Sequence, residues 1–419
     1  MALVDGTLVY ERTGLVRSPQ KFVIYDDSGT LYDATCTLEL KCWQGHKTTD
    51  KPSTPTFTLY NPSVTADIGG TDYTCWYFEV SEYIRQYCNY AKSFGEGFGA
   101  HGCWVEASLF SVPQAEGEPL TLSLDEEFHT IGWYSQVNNS RVRIITNPTS
   151  LAGANLQGRA AATYPEITYF NERDYNPIPY CIYDTGNDEI EFHSMTSGNT
   201  YTASLSASNE SEDQISYYDA TWSQLGVLGF TVSERENELI RVRVQNTSAS
   251  PEYRETFYLK YYDCYRNQDY SIPADSGAGN RYVNHTLYFV NRYGGMQSFL
   301  IRGRIQYSLE QEGEDYLAQI ANNIGRASSF QQEHQTKRYN VTGRNKINIT
   351  LGRLTADENE VLIDILMSER IWLQHAAFGL LPINLTTNNQ EYYNVFFEKG
   401  DKVVTLEFEA AQPLILNYR

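Results

Sequence analysis

The chain has 419 residues and a net charge of -20, with 33 tyrosines, 18 phenylalanines and only 4 methionines. That length provides for about three domains of ordinary size, and the acidic balance disfavours nucleic acid or an anionic membrane as a partner, since both are met by clustered positive charge. Tyrosine and phenylalanine at this density cover sheet faces with flat, rigid groups, so the composition points to β structure and contact surfaces.

Residues 1–120 read as an N-terminal β-rich domain. Lys21–Tyr25 and Leu31–Leu40 alternate apolar and polar residues on either side of Asp26-Asp27-Ser28-Gly29, the pattern of two strands around a tight reversal. The run TTDKPSTPTF cannot be a central strand, because Pro52 and Pro55 have no amide donor for a ladder. Cys75–Tyr90 divides into an aromatic strand and a short helix, with Val80, Ile84, Tyr87 and Cys88 at helical spacing and Ser81 as its cap. The glycine-rich Ser93–His101 lacks the Lys-Ser/Thr ending of a phosphate-binding loop and reads as a connection, after which Gly102–Phe110 is again a strand.

Residues 121–285 read as a β-sandwich-like region. Its candidate strands are Thr130–Tyr134, Arg141–Thr146, Glu166–Phe170 and Tyr180–Tyr183. The intervening 147–165 is long for a connection and reads as a structural projection or as an arm that meets a receptor or glycan. Ile131–Ile145 and Leu228–Val244 both carry a Gly-aromatic pair, a polar turn and an Arg-Val-Arg strand, a pattern of internal duplication. Trp222 and Leu225–Phe230 read as a core segment, and Glu252–Tyr265 as an aromatic strand covered on its second face by a neighbouring subunit or by loops of its own domain.

Residues 286–419 read as a C-terminal α+β assembly domain. Thr286–Arg302, TLYFVNRYGGMQSFLIR, sets two apolar strands about Asn291–Gly295, where the paired glycines admit a backbone that a β-branched residue resists. Arg292 and Tyr293 at the tip are candidates for a subunit interface, since a guanidinium beside an aromatic ring is a common anchor. The competing reading buries Tyr293 and pairs Arg292 with an acidic side chain of the same domain. Downstream, Thr355 and Glu358 have capping-box spacing, and Val361, Leu362, Ile365 and Leu366 make an apolar stripe, which predicts a helix of roughly three turns. Strands RYNVTGRNKINITL, RIWLQHA, LPINLTT, YYNVFFEKG and KVVTLEFEA surround it. The fold expected is mainly β, with several antiparallel β-sandwich-like domains and a small α+β C-terminal domain.

Chemistry-bearing motifs are scarce. The seven histidines are scattered, without an HExxH, EF-hand or GxSxG pattern. The carboxylates Asp125, Glu126, Glu127, Asp188, Glu189 and Glu191 read as solvated surface, because a glycosidase needs two at a set separation across a cleft. No catalytic residue, metal ligand or cofactor is expected, and the protein is not expected to be an enzyme. Cys36, Cys42, Cys75, Cys88, Cys103, Cys181 and Cys264 are odd in number and lack repeated CxxC spacing, which points to free, mostly buried thiols in a reducing site of folding. The N-terminal MALVDGTLVYERTG turns polar too early for a secretory leader, and no apolar run is long enough for a membrane-spanning helix. No membrane insertion is expected.

The series TLYFVNRYGGMQSFLIRG, KRYNVTG, a capped helix, IWLQ, PINLTT and LEFEAAQP resembles the closing region of structural and tail-associated proteins of tailed bacteriophages, particularly those of Bacteroidetes hosts. The resemblance spans about Thr286 to Pro413. It implies a non-enzymatic virion component of the tail, collar or hub, assembled in the host cytoplasm as a homo-oligomer that docks other virion or tail proteins. A rival expectation is a surface carbohydrate-binding or carbohydrate-processing protein, in which Trp43, Trp76, Trp104 and Trp133 form sugar platforms. Convergence of tryptophans and paired carboxylates in one open cleft would favour the rival.

Overall fold

The computed structural model describes residues 3–4, 13–17, 21–26, 35–62, 64–68, 71–88, 102–111, 120–123, 127–130, 153–154, 162, 164–171, 174–181, 188–205, 215–246, 252–262, 285–317, 336–355, 357–375, 379–387 and 402–411. Over these residues the chain is mainly β, with antiparallel pairing dominant and four α-helices. It divides into two compact units. The first comprises Met1–Asp263, Phe289–Ser298 and Glu360–Glu369; the second comprises Cys264–Tyr288, Phe299–Asn359 and Arg370–Arg419. The boundary expected at 120/121 falls inside the first unit. Candidate strand Arg141–Thr146, most of 147–165, the duplicated element Ile131–Ile145 and YYNVFFEKG lie outside the described residues.

In the first unit, Lys21–Asp26 pairs with Thr71–Glu79 in a four-stranded sheet, whereas Cys36–Trp43 lies in a second sheet between Phe57–Asn61 and Gly102–Ser111. The two strands flanking Asp26–Gly29 therefore do not pair with each other. A turn signal specifies that the chain reverses but not which strand it meets. Cys36–Trp43 alternates buried and half-buried residues, and its apolar face is completed by a strand more than sixty positions later, whose residues 102–107 are all buried. Residues 44–56 form no strand, as Pro52 and Pro55 require. A helix does occupy Ser81–Arg85, but Val80 stands at its N-cap and Ser81 is its first helical residue, donating its hydroxyl to Glu79 at 2.6 Å.

The middle of this unit is sandwich-like. A five-stranded sheet of Ile167–Asn171, Glu252–Tyr262, Ile240–Asn246, Asp188–Ser194 and Thr200–Ser204 shares one core with the paired strands Pro177–Cys181 and Ile215–Asp219. Phe192, Val242, Phe257 and Leu259 come from the large sheet, and Ile178, Tyr180 and Ile215 from the small one. The stretch expected as a core segment contributes Leu225 and Phe230 to this core, and it folds as a short helix, Trp222–Leu228, followed by a second, Val232–Asn237. Thr221 caps the first, and Gly229 ends it at φ 118°, a conformation that costs glycine little. Thr231 and Glu234 make a reciprocal capping box on the second. Helices of six or seven residues are too short to display a repeating apolar stripe, so only their caps betray them.

The last sheet runs in the order Met296–Ile301, His285–Val290, Ile371–His375, Gly379–Leu385, Lys402–Ala410, Thr336–Leu354 and Ile305–Leu317. Ile347, Ile349, Leu406 and Phe408 from adjacent strands are buried on one face. The predicted helix is present as Asn359–Met367, with Val361, Leu362 and Ile365 buried. It starts four residues after Thr355. Glu358 does accept the Thr355 amide at 2.8 Å, yet the same carboxylate takes two bonds from Arg302 at 2.5 and 2.7 Å, so it clamps a strand end as well as the approach to the helix.

Candidate contact site at the central turn

Thr286–Val290 and Met296–Ile301 are buried throughout, so this hairpin shows apolar runs instead of alternation because both of its faces are covered. At its tip the Asn291 amide donates to the Gly295 carbonyl at 2.8 Å and the Gly294 amide to the Asn291 carbonyl at 3.0 Å. Gly294 has φ 81°, the left-handed position that closes a three-residue hairpin loop. The Asn291 side chain also accepts the amides of Tyr293 and Gly295, each at 3.0 Å. Arg292 and Tyr293 thus stand at the centre of a rigid turn.

Arg292 points inward. It is 6 % exposed; its Nε donates to Asp364 Oδ1 at 2.7 Å, and Nη2 donates to the Glu360 carboxylate at 2.8 Å and the Glu360 carbonyl at 3.2 Å. Asp364 is fully buried on the helix, and its Oδ2 has no hydrogen-bond partner. Burial pushes this carboxyl up to about 6, with Glu360 adding to the rise and Arg292 opposing it. Burial also works against the Arg292 charge, but Asp364 and Glu360 outweigh it and hold the guanidinium above its usual range. Arg292 is accordingly a charged internal strut that ties the turn to the helix.

Other groups of the same unit converge on these two segments. Thr130 Oγ1 donates to the Tyr293 carbonyl at 2.7 Å, and the Met296 amide to the Tyr217 hydroxyl at 3.1 Å. The Val290 amide donates to Ser368 Oγ at 3.0 Å. At the helix end, Arg17 donates to the Met367 carbonyl at 2.6 Å and pairs with Glu369, which also binds Arg85. A cation at a helix C-terminus satisfies orphan carbonyls and complements the dipole. Strands from the N-terminal and middle parts of the unit are therefore fastened to one turn and one helix.

Of the two readings of Arg292, the pairing with acidic side chains of its own chain is the one its contacts follow: two carboxylates on the helix claim the guanidinium. Tyr293 is half-buried beside it. The sequence reading missed Asp364 and Glu360 as the partners of Arg292, Thr130 as the partner of the Tyr293 carbonyl and Tyr217 as the partner of the Met296 amide. A signal existed for one of them: in VLIDIL an aspartate interrupts an otherwise apolar, buried helical face, and such a charge demands a partner.

The remaining candidates that the structure describes are taken up within the fold. Trp43, Trp76 and Trp104 are buried, and Trp133 lies outside the described residues. Trp104 packs edge-on against Phe128 at 5.1 Å and donates its indole N–H to the Gly45 carbonyl. Glu191 lies between Arg241 and Arg243 of the adjacent strand. Asp188 is buried, while the side chains of Asp125, Glu126 and Glu127 lie outside the description. Cys36, Cys42, Cys88 and Cys103 are buried, the last two with sulfurs 3.4 Å apart. Among the described residues no group of three or more His, Cys, Asp or Glu side chains is arranged to hold a metal ion, and no helix is long and apolar enough to cross a membrane. No protein-family model matches the sequence, and no curated protein is significantly similar to it.

Proposed function

We propose that the protein is a non-enzymatic structural component of a tailed-phage virion, in the tail, collar or hub, forming a homo-oligomer that docks neighbouring virion proteins. The observation that carries this reading is a set of strands that, among the described residues, end their sheets with exposed apolar side chains. Phe57–Asn61 carries Tyr60 at 65 % exposure, Val64–Ile68 carries Val64 at 52 %, and Ile305–Leu317 carries Tyr307 at 50 % and Leu309 at 48 %. Such edges are templates for pairing with another chain, and repeated pairing generates rings or tubes. The phage assignment itself comes from the resemblance over Thr286 to Pro413. The carbohydrate reading is the weaker one, since three of its four tryptophans are inside cores.

Light scattering on the purified chain across a range of concentrations tests the assembly, and a reconstruction of the particle containing it tests the location. A symmetric oligomer is expected. A chain that stays monomeric alone and with the virion proteins beside it would rule the reading out.

A further inference from the structure

The two longest strands of the second unit divide charge between them. Ile305–Leu317, IQYSLEQEGEDYL, contains Glu310, Glu312, Glu314 and Asp315 and no Lys or Arg. Its partner Thr336–Leu354, TKRYNVTGRNKINITLGRL, contains Lys337, Arg338, Arg344, Lys346 and Arg353 and no Asp or Glu. In a chain of net charge -20, a strand of 19 residues without one carboxylate is conspicuous.

They pair antiparallel from Ile305 opposite Ile349 to Leu317 opposite Thr336. Lys402–Ala410 covers the far side of the basic strand only from Lys346 to Leu354. Beyond that, 310–317 and 336–345 form a two-stranded ribbon with no further strand on either side among the described residues. One strand of this ribbon is acidic in sequence and the other basic. Residues 306–312 are exposed, and the Glu310–Lys346 pair at 2.8 Å leaves its side chains 47 % and 44 % accessible.

We propose that this ribbon joins copies of the chain head to tail: the acidic edge strand of one copy adds to the basic edge, residues 336–345, of the next. The occupant is a second copy because the complementary charge is carried by the same ribbon. Pairing two acidic edges would set like charges across from each other, which disfavours a two-fold joint. Ten residues of strand provide about 33 Å of pairing length. Tyr307 and Leu309 alternate onto one face of the acidic strand, where Tyr307 lies opposite the buried Ile347, so an added strand would cover apolar surface as well as extend the ladder. A joint between two different edges closes into a ring or propagates as a filament.

This rests on the assembly reading only in that copies must associate. The experiment uses the full chain in two charge-reversed forms, Glu310→Lys/Glu312→Lys/Glu314→Lys and Lys337→Glu/Arg338→Glu/Arg344→Glu, followed by analytical ultracentrifugation. Each alone is expected to self-associate at least about tenfold more weakly than the parent, and their equimolar mixture to recover assemblies of parental size, because reversed edges are complementary only to each other. Recovery on mixing also shows that both are folded; the single changes Glu312→Lys and Arg338→Glu serve if a triple variant melts early. Parental assembly by each variant alone would overturn the ribbon joint and leave assembly through another surface standing. Failure of the mixture to recover would overturn the charge pairing. A parent chain monomeric at every concentration would remove the assembly reading and the joint together.

Discussion

The central turn and the ribbon use the same residue types to opposite ends. Arg292 and Asp364 meet where water is excluded, with the arginine side chain 8 % and the aspartate 0 % exposed, and Glu360 joins them with 23 % of its side chain exposed. Glu310 and Lys346 meet at a similar distance with nearly half of each side chain in solvent. A desolvated charge cannot lose its partner without leaving an uncompensated ion in a low-dielectric interior. A solvated pair exchanges one hydration shell for another and contributes little. Removing one partner is therefore costly at the buried pair and cheap at the exposed one.

The sharpest way to break that contrast is Arg292→Met, which strands Asp364 beside Glu360 without a counter-ion. A loss of about 3–5 kcal/mol in urea unfolding is expected, and the double variant Arg292→Met/Asp364→Asn should recover most of it. An unchanged midpoint in the single variant would show that the pair is not desolvated in solution.

Next in size is the pH dependence of Asp364. Its carboxyl sits at about 6 in the folded chain, whereas an unfolded aspartate titrates near 3.9, so the folded state binds the proton more tightly. The resulting contribution is present below about pH 4 and lost as pH rises through about 6, a change on the order of 3 kcal/mol. Asp364→Asn keeps an acceptor for Arg292 and stops the titration. Its stability profile between about pH 4 and about pH 7 should be flatter than the parent's; an identical slope would assign that dependence to other groups.

Exposed charge should do much less. Lys346→Ala and Glu310→Ala are each expected to leave the melting temperature of the dissociated chain unchanged, despite the 2.8 Å contact. A clear drop in either would mean that the ribbon depends on this pair. The thiols offer a final comparison. Burial pushes Cys36 and Cys42 up to about 12, and Cys103 well above its ordinary value. Alkylation of the native chain at about pH 8 should spare all three, since the thiolate is the nucleophile, and mass analysis after unfolding should find them reactive.

Much of this was legible locally. The hairpin about Asn291–Gly295 lies where apolar runs and paired glycines put it, and Val361, Leu362 and Ile365 mark the buried side of the helix. The caps were less transparent. Thr355-x-x-Glu358 and Thr231-x-x-Glu234 share one pattern, but the second completes a capping box, whereas the Glu358 amide donates to the Thr355 carbonyl and the helix starts only at Asn359. An internal partner for Arg292 was one of two readings, but which carboxylate it meets was beyond local reading, since Asp364 lies 72 positions away.

The sequence by itself determined the β class, the positions of several turns and the apolar face of one helix, because alternation, turn chemistry and helical spacing are set by near neighbours along the chain. Tertiary structure alone decided that Lys21–Asp26 pairs with Thr71–Glu79 and that Cys36–Trp43 pairs with Phe57–Asn61 and Gly102–Ser111. It also decided that the guanidinium of Arg292 meets carboxylates of its own chain. Those outcomes depend on which distant surfaces exclude water together, and no window along the sequence contains both partners.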